Sequence, residues 1–254
     1  MNTLERTLIE KAGADNGWEC VLENRQDTVR LASARHTVCV DIIDLADLPD
    51  RNELRFSEPV ERTELERDLP PELFQSHRIT AYNEQTLAVI LRRYAELVVS
   101  LPERPLAEYE KEVEEILETG SGVRGTEAER LVRQRVGQDV YRKSLMIYWK
   151  GQCAVTGIDV PEVLRASHAK PWASCESDAD QLNVYNGFLL SADLDALFDS
   201  GFITFNDDGI IIISTQLEEY QRKSLRIDTS LCLRWIDRNH LPFLYWHRTY
   251  VYKK

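Results

Sequence analysis

Four residues in the second half of the chain stand at a spacing suited to phosphoryl chemistry. His168 lies in RASHAKPW (165–172), Asn186 leads NGFLL eighteen residues later, Asp195 follows after nine more and Asp199 after another four. A histidine titrates near neutrality and suits the task of general base. Carboxylates at i and i+4 share one face of a helix, a turn apart. Aimed at one point they repel each other unless a cation sits between them. Oxygen ligands of this kind favour a hard ion, magnesium or manganese. Hydrolysis of a phosphodiester needs a base for the attacking water, a Lewis acid for the scissile phosphate, and a group that orients the base. A backbone carbonyl or an asparagine such as Asn186 suits the third task. Lys170, two residues beyond the base, and Arg142 are the candidate phosphate contacts. His36, His77, His240 and His247 have no comparable setting and read as structural or solvated, although Trp246-His247-Arg248 is compatible with touching phosphate.

Those residues need elements to hold them. Val163 and Leu164 are strand-like and Pro171 ends any strand, so His168 is expected at a strand exit. SADLDALFD reads as a short helix whose Leu194, Leu197 and Phe198 pack inward, leaving Asp195 and Asp199 outward. A long helix is expected from Glu127 to about Trp149, then short strands and tight turns over CAVTG, EVLRASH and NGFLL, then a hairpin of 202–205 with 210–214 through Asn-Asp-Asp-Gly. Trp149, Trp172, Phe198, Phe202 and Phe205 read as core. In the first half, 2–12 reads as a helix, Trp18–Leu22, Thr28–Ala32 and His36–Ile43 as strands, and 47–80 as loop with short helices. Asn83–Leu101 carries a strong helical period and is stopped by Pro102 and Pro105; Glu108–Glu118 is an acidic helix, and 119–126 a Gly-rich break.

Strand–His, loop–Asn, helix–Asp-x-x-x-Asp resembles the ββα-metal finger of the HNH endonucleases. The flanking text is similar as well: RVGQDVYRKSLMIYWKGQCAVTG, LRASHAKPW and NGFLLSADLDALFDSGFITF resemble a bacterial HNH subfamily with variable N-terminal domains. The resemblance covers roughly residues 133–252. It implies that His168 is the general base, that Asn186 steadies the hairpin, and that Asp195, with Asp199, binds metal. Ser167 stands where many members carry a second ligand, and Asp195 replaces a final histidine, which shifts preference from zinc or nickel toward magnesium or manganese. The cysteine pairs of zinc-braced relatives are absent. The implied activity is endonucleolytic cleavage of DNA, double-stranded in the first instance, in restriction or other defence.

The expected fold is thus α+β. A small N-terminal α+β domain spans 1–104, an acidic helix and Gly-rich linker 105–128, and a ββα-metal HNH domain preceded by a long helix 129–254. Net charge is −12, all of it in residues 1–128, whose 27 acidic residues outnumber 15 basic ones; residues 129–254 hold 16 of each. The second half can therefore present a local basic face, whereas the first disfavours non-specific DNA contact. An odd number of cysteines, none in a C-x-x-C pair, argues against a disulfide framework or a cysteine zinc knuckle. Without an apolar run of membrane-spanning length or a secretion signal, a cytoplasmic location and no membrane partner are expected. A targeting or gating role suits the N-terminal domain, with a small molecule or a modified base as its ligand, and a homodimer suits an enzyme that cuts both strands. Two alternatives stay open: a non-catalytic DNA-binding or regulatory protein on a degenerate HNH finger, and a ligand-gated nuclease effector.

Overall fold

The computed structural model of the chain describes residues 1–45, 51–75, 78–119, 125 and 127–254. It divides into two compact units, Met1–Val99 and Ser100–Lys254.

The first unit opens with α1 (Thr3–Asp15), started by a capping box in which the Asn2 side chain accepts from Glu5 N and the Glu5 carboxylate accepts from Asn2 N. An antiparallel sheet follows: β1 (Cys20–Asn24), β2 (Thr28–Ala32), β3 (Cys39–Asp44), β4 (Asn52–Phe56), then, after α2 (Arg62–Glu66), β5 (Phe74–Gln75) and β6 (Arg78–Ala81). The strand order is β1-β2-β3-β4-β6-β5. Val29, Leu31, Val40 and Ile42 alternate inward as the two-residue period of a strand requires. α3 (Glu84–Ser100) buries Leu87, Ile90, Leu91, Tyr94 and Leu97. Trp18 joins that core, its indole N–H donating to the Leu91 carbonyl at 2.9 Å.

The expectation of loop with short helices over 47–80 needs correction. Three strands lie there, β4 pairing β3 from Val40↔Phe56 to Asp44↔Asn52; positions 46–50 and 76–77 fall outside the described residues. Charge hid the strand. Glu53 is buried in NELRF because the guanidiniums of Arg55, at 2.8 Å, and Arg78, at 3.7 Å, neutralise it.

The second unit begins with α4 (Glu103–Thr119) and α5 (Glu127–Tyr148), packed on each other. Pro105 does not stop a helix here. It sits in the first turn of α4, where its missing N–H has no intrahelical partner to lose. The acidic helix is therefore part of the second unit's core, with Tyr109, Val113 and Leu117 buried along one stripe. Most of the Gly-rich break lies outside the described residues. Beyond α5 come β7 (Leu164–His168), α6 (Asp178–Leu182), β8 (Gly187–Ser191), α7 (Ala192–Asp199), β9 (Ile203–Phe205), β10 (Ile211–Ile213), α8 (Glu219–Leu225) and α9 (Leu241–Tyr250). β7 and β8 form one antiparallel hairpin, β9 and β10 another. The architecture is α+β, with a strand–strand–helix unit, β7–β8–α7, in the C-terminal half. CAVTG forms one of the turns: Cys153 Sγ accepts from Thr156 N and Ser191 N at 3.4 and 3.3 Å. No helix among the described residues is long and apolar enough to cross a membrane.

Candidate active site

Antiparallel pairing sets His168 opposite Gly187 and Ser167 opposite Phe188. Glycine is required at 187, because a Cβ there would run into the Ser167 carbonyl and the Tyr141 hydroxyl. Successive strand residues face opposite ways, so Ser167 turns toward α7 and His168 toward α5 and α6.

His168 is half-buried. Its ring stacks on Tyr141 of α5, centroids 3.8 Å apart and planes 18° from parallel, and meets the edge of Trp172 at 5.7 Å. Nε2 lies 2.8 Å from the backbone carbonyl of Gln181. A carbonyl only accepts, so Nε2 carries the hydrogen and Nδ1, which makes no hydrogen bond among the described residues, presents its lone pair. Burial lowers the imidazole to about 4, partly offset by the Gln181 bond. The ring is therefore neutral at physiological pH.

Asn186 is wholly buried and works as a strap. Its Oδ1 accepts from Lys170 N at 2.8 Å, and its Nδ2 donates to the Lys170 and Asp180 carbonyls at 3.2 and 3.0 Å and to Cys175 Sγ at 3.3 Å. Its backbone oxygen accepts from Ala169 N and from the Tyr141 hydroxyl. It thereby joins the residues that follow His168 to the segment carrying Gln181, and it reaches the reacting side chains only through them.

On the other face, Asp195 and Asp199 rise from α7, whose Leu194, Leu197 and Phe198 are buried as amphipathic spacing requires. The Ser167 hydroxyl donates to Asp199 Oδ1 at 3.1 Å and also acts on Asp195. Partial burial raises Asp199 to about 6, helped by repulsion from Asp195 and opposed by Ser167. Although Asp199 sits at the exposed helix end, surrounding protein still desolvates its carboxyl. Asp195 is raised by burial, against the pull of Ser167 and of the Arg165 charge. Among the described residues no cation forms an ion pair with Asp199. Two hard oxygen ligands that repel each other, with no neutralising partner on the second, fit a divalent cation. Ser167 points its hydrogen at the carboxylate, which makes it a holder of Asp199 rather than a ligand. Among the described residues no three His, Cys, Asp or Glu side chains gather as a metal-binding group.

The imidazole and the carboxylates face opposite sides of β7, and no hydrogen bond joins them among the described residues. Tyr141 stacks on His168, and its phenol is raised by burial first, then by Cys175 and Asp199. Both cations expected at phosphate are engaged elsewhere. Arg142 donates to the Leu164 and Pro161 carbonyls at 2.7 and 2.8 Å, tying α5 to the start of β7. Lys170 is buried, with Nζ 3.4 Å from Glu176 and 3.9 Å from Asp180. Arg165, two residues before Ser167 and on the same strand face, is an exposed cation that acts on Asp195, and its Nη1 donates to the Glu162 and Leu164 carbonyls at 2.9 Å. That i, i+2 relation was open to sequence reasoning, which passed over it. His247 touches no solvent: Nε2 donates to the Phe198 carbonyl at 3.0 Å, Nδ1 accepts from Thr204 Oγ1 at 2.9 Å, and the ring stacks on Phe198 at 3.8 Å.

The first unit has a cavity of about 580 Å³ lined by Leu8, Ile9, Asp44, Arg51, Tyr82 and Leu87, among others.

Residues 153–206 match the family model described as HNH endonuclease, a span that holds the β7–β8–α7 unit with His168, Asn186, Asp195 and Asp199. No curated protein matches the chain.

Proposed function

Since residues 153–206 carry an HNH endonuclease domain, we propose that the chain is a divalent-metal-dependent endonuclease that hydrolyses DNA phosphodiester bonds with His168 as general base. The observation that carries this reading is the state of the imidazole. A neutral ring whose Nε2–H is held by the Gln181 carbonyl leaves Nδ1 as the atom that takes a proton from water. The water oxygen attacks phosphorus, the bond to the 3′ oxygen breaks, and the products carry 5′-phosphate and 3′-hydroxyl ends.

Asp195 and Asp199 are the residues that would hold magnesium or manganese. When bound, the ion supplies positive charge to the scissile phosphate and the departing oxygen. The reading requires one phosphate at the exit of β7 to reach both the imidazole and the ion, which stand on opposite faces of the strand. Ser167 fixes the Asp199 carboxylate, Asn186 fixes the loop that carries Gln181, and Arg165 joins Arg142 and Lys170 as a phosphate contact. Double-stranded DNA is the substrate, in restriction or defence in the cytoplasm. The N-terminal unit selects or gates cleavage through a small molecule or modified base, and a homodimer cuts both strands.

A second reading, a DNA-binding regulator on a degenerate finger, is favoured by the two-carboxylate set and the non-ligating Ser167. Plasmid incubated with purified protein and manganese separates the two. The nuclease reading expects nicking that His168→Ala lowers by about 10²–10⁴ while DNA retention in a gel stays as in wild type. Retention without nicking, on plain and on cytosine-modified plasmid alike, would favour the regulator. An RNA arm reports the substrate class.

A further inference from the structure

The aromatic residues around His168 come from two places that the HNH match treats unequally. Tyr141 lies on α5, twelve residues before the matched span, and Trp172 lies within it. Each is held independently of the imidazole. The Tyr141 hydroxyl donates to the Asn186 carbonyl at 3.1 Å, and its ring is fully buried. Trp172 lies directly over Gly137, one helical turn before Tyr141, where any Cβ would collide with the indole. Its own carbonyl accepts from the Gln181 side chain at 3.2 Å. One face of the imidazole is thus covered by a phenol, the indole closes against it at 89°, and the Gln181 carbonyl meets Nε2.

A histidine at a strand exit has two rotatable bonds and two tautomers. The hydrogen bond to Gln181 selects Nε2–H only while the ring stays turned toward it, since a half-turn about Cβ–Cγ would put Cε1 in place of Nε2 and release both nitrogens. The imidazole plane lies against Tyr141 and the indole meets its edge, so a half-turn or a swing of the ring must first break those contacts. We infer that Tyr141 and Trp172 are positioning residues that clamp the His168 ring, so that Gln181 always holds Nε2–H and Nδ1 is always the free nitrogen. The inference rests on the role proposed for His168 but is measurable without it.

The test uses the full chain with Tyr141→Phe, Tyr141→Leu and Trp172→Ala. ¹⁵N NMR of the imidazoles well above pH 7 reads the tautomer, and plasmid nicking with manganese reads kcat and KM. Wild type and Tyr141→Phe are expected to show one Nε2–H tautomer at His168 and kcat within a few-fold of each other. Tyr141→Leu and Trp172→Ala are expected to show mixed tautomers, with kcat lower by about 10- to 100-fold and KM little changed. Tyr141 is buried, so Trp172→Ala at a half-buried position decides the matter if the leucine variant does not fold. A pure Nε2–H tautomer in Trp172→Ala would overturn the clamp. So would equal losses in Tyr141→Phe and Tyr141→Leu, which would assign the effect to the hydroxyl. If no variant nicks DNA, wild type included, the nuclease reading fails while the tautomer measurement still decides the clamp.

Discussion

At the scale of the residue, the carboxylate pair carries its own pH signature. Asp199 is held at about 6 in the folded chain, above the ordinary aspartate value. The folded state therefore binds more protons than the unfolded one between about pH 4 and 6, and stability is lost as pH rises through that window. Asp199→Asn removes both the desolvated charge and the repulsion with Asp195. The variant is expected to melt higher than wild type at pH 8 in EDTA and to match it near pH 4. Adding manganese at pH 8 should raise the wild-type melting temperature and leave the variant nearly unmoved; equal shifts in both would rule out Asp199 as a ligand. Ser167→Ala tests the holder role. With its hydroxyl gone, Asp199 loses an opposing influence, and manganese affinity should fall by about tenfold, the weight of a hydrogen bond to a charged group, as read by calorimetric titration. Much of this neighbourhood follows from residue types in order, for His168, Asn186, Asp195 and Asp199 announce themselves by chemistry and spacing. Gln181 does not, because it acts through a carbonyl that every residue owns. The partners of Arg142 and Lys170 were hidden for the converse reason: a charge in sequence says nothing of the carbonyls and carboxylates that the fold brings to it.

At the scale of the element, α7 is placed by what lies behind it. Phe198 is sandwiched in the core, and His247 of α9 grips its carbonyl while accepting from Thr204 of β9, so one imidazole joins three elements one residue from Asp199. Burial lowers that imidazole to about 4, against a hydrogen bond to Phe198 that raises it. A base whose folded value lies below its unfolded value of about 6.5 is neutral in both states above that pH and costs nothing there. As pH falls from about 6.5 to about 4, the unfolded chain takes up the proton first and stability declines. His247→Phe keeps the stack and deletes both hydrogen bonds. It should be less stable than wild type by about 1–3 kcal/mol at pH 7.5, and the gap should close toward pH 4.5. Urea unfolding at the two pH values checks this; a gap that widens in acid would mean His247 is charged in the fold. The helices α3 and α7 could be read from their apolar periods alone. β4 could not, because its buried Glu53 looks like a surface residue until Arg55 and Arg78 are seen beside it. The start of α4 was misplaced because proline is a breaker in a helix interior and harmless in a first turn.

At the scale of the whole molecule, the change in composition near residue 128 and the boundary between compact units are different places. Acidic residues dominate the chain up to 128, yet the units divide at Val99 and Ser100. The cause is α4, whose outer face is nearly all glutamate and whose inner face belongs to the second unit's core. Tyr109, Val113 and Leu117 are buried there, and Lys143 of α5 pairs with Glu108. Burying three such side chains contributes roughly 1.5–3 kcal/mol each, a sum comparable with the whole stability of an ordinary domain, about 5–15 kcal/mol. A boundary drawn by charge at 129 and one drawn by packing at 100 thus make opposite forecasts. A fragment of 100–254 is expected to unfold in one cooperative transition and to retain the manganese-dependent behaviour of the full chain. A fragment of 129–254 exposes the α5 face that α4 covers, and it is expected to be partly unfolded or aggregated, with no cooperative melt by circular dichroism. Should the shorter fragment melt cooperatively within a few degrees of the longer one, α4 would be an ornament of the second unit rather than part of its core, and the acidic stretch would again be free to act as a linker.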